Sequence, residues 1–321
     1  MSLLSPSVLS VQAKEKDMGR QAKYVENYYD ISFEDLEVLY SGEGSKVKIE
    51  VKDGCNWLQR RKAVREKEKV EFLMERYDDG LEELLVETVE EGKKNGNEFI
   101  GMSYTECPLV MNEEGHLVRI AANNSGDDEK GSLIKEASAK SASGAKAYKY
   151  YFSLYTTVSR NSTKDSKNRY TYTCQSKGVW SANSALSGKK YPASGNDYIL
   201  QSVPNVFSRT SDYLTVEYNN GLTAMNGTHY SRENGNSSYV RYSVVDDPLG
   251  LAQLSRCTLT AKYKAKAGTG RMVNSYYIHT WKKMSLSVTV SGDTSKAVGL
   301  SVTPSISNKS WQVYSYVSFD F

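Results

Sequence analysis

The feature that most constrains this chain is a two-residue alternation of apolar and polar side chains that recurs from about residue 147 to the C-terminus. Successive side chains of a β-strand point to opposite faces, so this period predicts strands with one buried face. The last stretch shows it most clearly, and its apolar positions are Trp311, Val313, Val317, Phe319 and Phe321. The second half of the chain is therefore predicted to be a β-sheet structure closed by its final strand.

About eight such segments follow one another, separated by segments rich in turn-forming residues. They lie near residues 148–158, 170–174, 214–218, 240–244, 257–263, 284–290, 298–302 and 311–321. Short consecutive strands of this kind predict an antiparallel β-sandwich, with a small β-barrel as the alternative. We expect their apolar faces to meet in a closed interior.

Charge and composition divide the chain. Residues 14–136 hold 19 Lys+Arg and 29 Asp+Glu, a balance of −10, whereas residues 137–321 hold 22 and 9, a balance of +13. Small polar residues fill 123–146, which we interpret as a linker between an acidic module at 14–122 and a basic β-sandwich at 147–321. Modules of opposite sign could face each other, or the basic one could face an anionic surface, but two differently solvated surfaces are the favoured interpretation.

The first module is predicted to be a smaller α+β or β-meander unit. Val47, Ile49 and Val51 alternate with charged residues and predict a strand, and the text at 32–35 fits a capping box that opens a short helix. Residues 68–90 are ambiguous, because their leucines fit helical spacing while Asp78, Asp79 and Gly80 form a hairpin-turn signal. Glycine inside a helix costs about 1 kcal/mol relative to alanine, so a hairpin is favoured.

The N-terminal sequence predicts that the protein is exported. Residues 3–13 resemble the distal part of a secretory signal peptide, with small residues at Val11 and Ala13 and polar text after them. Residues 1–13 are therefore set aside as a signal-peptide remnant. No apolar run is long enough for a membrane-spanning helix, so the expected location is secreted or on the surface of a bacterial cell.

The four cysteines allow three pairings. One bridge in each module, Cys55–Cys107 and Cys174–Cys257, is the simplest. Cys174 and Cys257 both fall on apolar strand faces, so buried free thiols are the alternative. No CxxC motif occurs and the three histidines are scattered, which argues against a Cys/His zinc site. No metal or cofactor is predicted.

Two polar loops, at 176–197 and 219–238, are the predicted contact regions. They are rich in Ser, Asn, Gly and Tyr, which suit adaptable hydrogen bonding and ring stacking. The aromatic residues nominated for ligand contact are Trp180, Tyr191, Tyr230 and Tyr239. The expected ligand is an anionic cell-envelope polymer, a carbohydrate or another surface protein, and no nucleic acid is expected.

A membrane-active β-protein is the second hypothesis. The final strand, ending in Phe321, resembles the closing strand of outer-membrane barrels, and residues 284–291 alternate Ser/Thr with aliphatic residues as in the hairpins of pore-forming toxins. Any sandwich strand can carry the same alternation, so membrane contact ranks below a soluble binding role.

An extracellular hydrolase is the third hypothesis. The chain has no Gly-x-Ser-x-Gly elbow, no His-Glu-x-x-His and no phosphate loop. Asp246 and Asp247 could bind a cation or act as acids, and only folding could bring together His279 with Trp281 or Asp212 with Glu217. The sequence therefore favours a non-catalytic binding or interaction protein.

Overall fold

A computed structural model describes residues 27–40, 42, 46–112, 116–120, 150–181, 196–235, 238–246, 253–281, 285–291, 299–305 and 310–320. The predicted signal-peptide remnant at 1–13 and the whole of the predicted linker at 123–146 lie outside these ranges, and so does Tyr191. The described part holds one long helix and sixteen strands. In chain order they are β1 (Asn27–Ser32), β2 (Leu36–Leu39), β3 (Lys48–Val51), α1 (Trp57–Asn95), β4 (Asn97–Met111), β5 (Leu117–Arg119), β6 (Tyr150–Asn161), β7 (Tyr170–Trp180), β8 (Asn196–Ser202), β9 (Ser208–Tyr218), β10 (Tyr230–Gly235), β11 (Tyr239–Val245), β12 (Leu254–Ala265), β13 (Arg271–Thr280), β14 (Leu286–Ser291), β15 (Gly299–Pro304) and β16 (Ser310–Phe319).

Two open antiparallel sheets form the centre of the molecule. The larger has seven strands in the order β1-β4-β6-β7-β12-β9, with β5 paired on β4, and the smaller has five in the order β10-β11-β8-β13-β16. The apolar faces of both sheets meet in one buried cluster that includes Phe152, Leu259, Tyr277 and Val317. This arrangement confirms the predicted fold class, a mainly β chain with an antiparallel β-sandwich whose apolar faces point inward.

Hydroxyl groups also cross the sandwich interior. The Ser275 hydroxyl on β13 lies 2.7 Å from that of Thr156 and 2.6 Å from that of Ser176, which belong to the opposite sheet. Ser103 and Ser315 meet across the sheets in the same way at 2.7 Å. These pairs satisfy polar groups that would otherwise be buried without a partner, so they hold the two sheets in one register.

Helix α1 covers the outer face of the larger sheet, and the predicted hairpin at 68–90 is wrong. The helix begins with a capping box between Asn56 and Gln59 and ends at Gly96, whose φ of 64° is left-handed. Between them it passes without interruption through residues 78–80. Its buried positions pack on the sheet, and they are Ala63, Val70, Leu73, Leu81, Leu84 and Leu85. Burying one leucine stabilises by about 1.5–3 kcal/mol, which outweighs the local cost of Gly80.

Opposite charges meet where the helix crosses the sheet. Glu87 lies 3.1 Å from Nζ of Lys177 on β7, and Glu83 lies 2.7 Å from a guanidinium nitrogen of Arg256 on β12. Lys177 is almost fully buried, with 2% of its side chain exposed, and Glu87 is its ion-pair partner. These two pairs place acidic residues of α1 against basic residues of the second region.

The larger sheet contains strands from both sides of the predicted linker. β4 pairs with β6 from Asn97 opposite Asn161 to Leu109 opposite Tyr150. Strands before residue 121 and strands after residue 149 are thus hydrogen-bonded to each other. The boundary at 123–146 stays a prediction about the chain, while the sheet itself is continuous.

Several local predictions are corrected. Residues 32–35 start no helix: Ser32 ends β1 and 33–35 connect it to β2, with Phe33 and Leu36 buried in the layer beneath α1. All four cysteines are free thiols instead of two bridges. Cys257 lies opposite Gly178 and Cys174 lies opposite Ala261, four residues away along the same strand pair. At about 3.3 Å per residue this offset is about 13 Å, too far for a disulfide.

A two-stranded sheet, β14 with β15, lies over the outer face of the smaller sheet. Val302 is buried there against Tyr198, Leu200 and Ile278. The smaller sheet is therefore covered on both faces, by the larger sheet on one side and by this hairpin on the other.

Asp30 on β1 is expected to make stability depend on pH. Burial, and after it the neighbouring Glu66 carboxylate, raises the pKa of Asp30 to about 7, although Lys69 opposes this. A carboxyl whose pKa is raised by folding destabilises the folded protein once it ionises, so the loss grows from about pH 4 to pH 7. We expect Asp30→Asn to be more stable by about 1–2 kcal/mol at pH 8, measured by urea unfolding. The difference should vanish below pH 4, and a constant difference from pH 4 to 8 would contradict the shift.

Candidate functional site

Three polar side chains converge at one end of the smaller sheet. Asp197 is the second residue of β8, His279 is the last but one of β13, and Asp246 directly follows β11. Because β8 lies between β11 and β13, these three positions are neighbours across the sheet. One ligand-capable atom from each lies within 4.8 Å of the other two. We call this group the Asp–His–Asp cluster.

Asp197 is the centre of the cluster's hydrogen bonds. Its carboxylate is fully buried and accepts hydrogen bonds from the Tyr277 hydroxyl and from the backbone N–H of Thr280, the latter at 3.0 Å. Nδ1 of His279 lies 2.9 and 3.1 Å from its two oxygens. Nδ1 also lies 3.8 Å from Oδ2 of Asp246. The cluster thus joins the ends of three strands through one imidazole nitrogen.

Tryptophan rings enclose His279. The ring centres of Trp180, Trp311 and Trp281 lie 5.0, 5.1 and 5.9 Å from that of the imidazole. Trp180 donates its indole N–H to the Tyr277 hydroxyl at 3.2 Å. Three of the four tryptophans of the chain therefore surround one histidine, and the fourth, Trp57, is exposed on α1.

The surroundings set the protonation of the cluster. Burial by itself lowers the pKa of His279, but the Asp197 and Asp246 carboxylates outweigh burial and raise it above the usual value. Burial and then Asp197 raise the pKa of Tyr277, which keeps its hydroxyl a donor. Such a site suits the holding of a proton or a cation. The contacts that His279 makes among the described residues are to carboxylates and aromatic rings.

The fold joins residues that the sequence could name only separately. Asp246 and His279 meet in the cluster and Trp281 lies beside the His279 ring, whereas Asp197 was missed, since a single aspartate at a strand start carries no signal of its own. Asp247 lies outside the described residues. The suggested pairing of Asp212 with Glu217 is wrong, because Asp212 bonds Arg232 and the Tyr242 hydroxyl while Glu217 bonds Arg256.

The nominated aromatic residues separate in the structure. Trp180 belongs to the tryptophan group around His279, and Tyr239 is buried at the start of β11. Tyr230 lines an open surface cavity of about 430 Å³ beside β9, whose other walls come from 214–218 and 221–224. A role in ligand contact stays a prediction for all four nominated residues.

The surface beside β9 is the second candidate site, and we call it the β9 surface. Within the described residues, β9 pairs on one side with β12 and on the other makes a single bridge, between Glu217 and Thr223. Tyr213 within β9 is 50% exposed, and Val206 before the strand and Met225 after it are 41 and 55% exposed. An unpaired strand edge beside exposed apolar side chains is a surface that another chain can join.

The outer edge of β16 differs from that of β9 because side chains occupy its backbone carbonyls. The backbone carbonyls of Gln312, Tyr314 and Tyr316 accept hydrogen bonds from the side chains of Arg119, Thr105 and Tyr28 respectively. This edge of the smaller sheet is thus occupied by side chains from the larger one.

Comparisons with known proteins do not assign a family. No protein-family model matches the sequence, and no curated protein matches it. Within the described residues, no helix is both long and apolar enough to span a bilayer.

Solved structures give weak matches to two kinds of protein. Domains D2 and D3 of the major pilin SpaD of Corynebacterium diphtheriae match at 12% identity and a TM-score of 0.27, over 50% of each chain. This chain thus spans about half the length of that structure. A protein described as pore-forming matches at 8% identity and a TM-score of 0.29, over 67% of this chain and 99% of that one. The delta-toxin of Clostridium perfringens matches at 7% identity and a TM-score of 0.29, over 68% and 97%. Similarity at this level carries no argument about function.

Proposed function

We propose that this chain is a non-catalytic interaction protein, secreted or displayed on a bacterial cell surface, that binds an extended segment of another surface protein along β9. The observation that carries this proposal is the contrast between two edges. β16 has its outer carbonyls occupied by side chains, whereas β9 has a single bridge on its outer side among the described residues.

Strand addition explains the neighbouring features of the β9 surface. A peptide that adds to a sheet edge gains affinity from backbone hydrogen bonds and specificity from pockets for alternate side chains. The cavity of about 430 Å³ has an apolar wall at Leu214, Leu222 and Ala224 and a polar one at Glu217. It can accept one side chain of the added segment, and Tyr213 can pack against the next.

An anionic polymer or a carbohydrate gains less support than a protein partner. Part of the positive charge of the second region is already balanced within the fold, since Lys177 and Arg256 pair with acidic residues of α1. Trp180 is engaged by Tyr277 and His279 instead of standing free to stack on a sugar.

Selection of binders from a display library of random 12-residue peptides tests the proposal. We expect selected peptides to protect backbone amides of Ser208–Tyr218 from hydrogen exchange, and Tyr213→Ala to weaken their binding by about 10-fold. Trp57→Ala, which removes an aromatic residue that is 70% exposed on α1, is the matched control and should leave binding unchanged. Protection confined to other strands, or equal loss of peptide binding in both variants, would contradict the proposal.

Antibody labelling of intact cells and of culture medium tests the proposed location at the cell surface or in the medium.

A second candidate function, membrane insertion, has one specific observation in its favour. The β14–β15 hairpin is amphipathic: Leu286, Val288 and Val302 pack on the smaller sheet, while Ser287 and Thr289 are exposed. Residues 285–291 and 299–305 contain no charged residue. If the hairpin left the sheet, its apolar face could contact lipid and its Ser/Thr face could contact water, as in a membrane β-barrel.

Dye leakage from anionic lipid vesicles tests this candidate. We expect Val288→Lys to reduce leakage by about 10-fold or more, because a lysine on the lipid-facing side of a strand costs about 2–4 kcal/mol at the bilayer centre. Thr289→Lys, on the opposite face of the same strand, is the control and should retain leakage. No leakage by the unmodified protein at micromolar concentration would reject the candidate.

A further inference from the structure

The Asp–His–Asp cluster has the composition of a metal site that sequence reasoning did not assign. It offers one imidazole nitrogen and two carboxylates, all from buried residues. We infer that Asp197, Asp246 and His279 bind one divalent transition-metal ion of the Zn²⁺ or Mn²⁺ class.

The distances fit such an ion. Zn–N and Zn–O bonds of about 2.0–2.2 Å in tetrahedral geometry place the ligand atoms about 3.3–3.5 Å apart. In the cluster, Nδ1 of His279 lies 2.9 Å from Asp197 and 3.8 Å from Asp246, and the three donor atoms lie within 4.8 Å of one another. A bound ion would take the place of the hydrogen bond between Nδ1 of His279 and the Asp197 carboxylate.

The groups behind the ligands fit as well. Metal-binding carboxylates are commonly held by hydrogen bonds from an outer layer of residues, and an apolar layer around them excludes water. Asp197 accepts hydrogen bonds from Tyr277 and Thr280, which fix its orientation. The three tryptophan rings fix the plane of the imidazole.

Charge supports a cation at this place. The three side chains together carry −2 when the imidazole is neutral and −1 when it is protonated, in a site where Asp197 has no exposed surface. Burying carboxylates is costly unless a cation compensates them. Asp246 keeps 12% of its side chain exposed, so an ion can enter from that side. A histidine ligand selects Zn²⁺, Mn²⁺ or Co²⁺ over Ca²⁺, which prefers oxygen donors.

Metal titration of the purified chain, stripped with EDTA, tests the inference. We expect one equivalent of Zn²⁺ by calorimetry, and a rise in Tm of about 5 °C at an ion concentration near 100 times Kd. Asp246→Asn should weaken binding by about 100-fold or more. Asp53→Asn, an exposed carboxyl in another part of the fold, is the matched control and should bind as the unmodified chain does.

A fluorescence measurement keeps the test independent of how the variants fold. Co²⁺ bound at the cluster should quench most of the emission of the Trp57→Phe variant, whose three remaining tryptophans surround His279. Ca²⁺ at the same concentration should displace little Co²⁺. Absence of binding at 1 mM Zn²⁺ or Mn²⁺ would overturn the inference, as would binding that is equally strong in Asp246→Asn or leaves tryptophan emission unchanged.

Discussion

Replacing Asp197 with alanine is expected to destabilise the protein by about 3–5 kcal/mol, the range for breaking a buried hydrogen-bonded charge pair. The variant removes the acceptor for the Tyr277 hydroxyl and the Thr280 N–H, and it leaves His279 buried beside Asp246 alone. Each buried donor left without an acceptor costs about 1–3 kcal/mol. The measurement is the free energy of unfolding from urea titration at pH 7 in the presence of EDTA, so that bound metal does not contribute.

Two further variants serve as comparisons for Asp197→Ala. Asp197→Asn keeps the shape and one acceptor oxygen, so its loss should be about half as large. Asp53→Ala changes an exposed aspartate and should stay within about 0.5 kcal/mol of the unmodified protein. A loss below 1 kcal/mol for Asp197→Ala would mean that the cluster does not hold the strand ends together.

Replacing Phe152 with alanine should cost a similar amount, about 3–5 kcal/mol. Phe152 is fully buried between the sheets, and its ring centre lies 4.2 Å from that of Tyr277 and 5.1 Å from that of Trp180. Gly178 packs so closely on this ring that a Cβ there would lie 2.9 Å from its Cζ atom. The site is bounded by rings and backbone that cannot move in to fill the space, so a cavity remains and its lost contacts set the cost.

The matched control is Phe72→Ala. Phe72 is 44% exposed on α1, and its removal should cost less than about 1 kcal/mol. Urea unfolding followed by far-UV circular dichroism and by tryptophan emission gives both values. Equal losses for the two variants would mean that the sandwich interior is not packed around Phe152.

Several strands predicted from alternation have one buried face and one exposed or lightly covered face. β12 and β16 are examples, because their two faces have different surroundings. Among the described strands after residue 147, β8, β10 and β13 were not predicted. β8 and β13 are the central strands of the smaller sheet and are buried along nearly their whole length, since the larger sheet covers one face and the β14–β15 hairpin the other. A strand covered on both faces has no reason to alternate, so its sequence lacks the period-two signal.

Part of the core was also not recognised from the sequence, because polar residues occupy some positions inside the sandwich. Ser275 looks like a surface residue in the sequence, yet its hydroxyl bonds that of Thr156 across the interior. The long helix was hidden for a different reason. Local turn chemistry at residues 78–80 favoured a hairpin, and only the buried leucines on either side of it, packed on the larger sheet, show why a helix forms there.

The sequence by itself determined that the chain is mainly β, that its later strands bury their apolar faces, and that its two halves carry opposite charge. These properties can be predicted from local residue order and composition, because a period of two identifies a strand with one buried face and a count of charged residues gives the charge of each half. The tertiary structure alone decided the order of strands in each sheet, the packing of acidic α1 on Lys177 and Arg256, and the meeting of Asp197, Asp246 and His279. The reason is physical: strands β8, β11 and β13 become neighbours through backbone pairing between distant segments, and side-chain periodicity within one strand carries no information about which strand lies beside it.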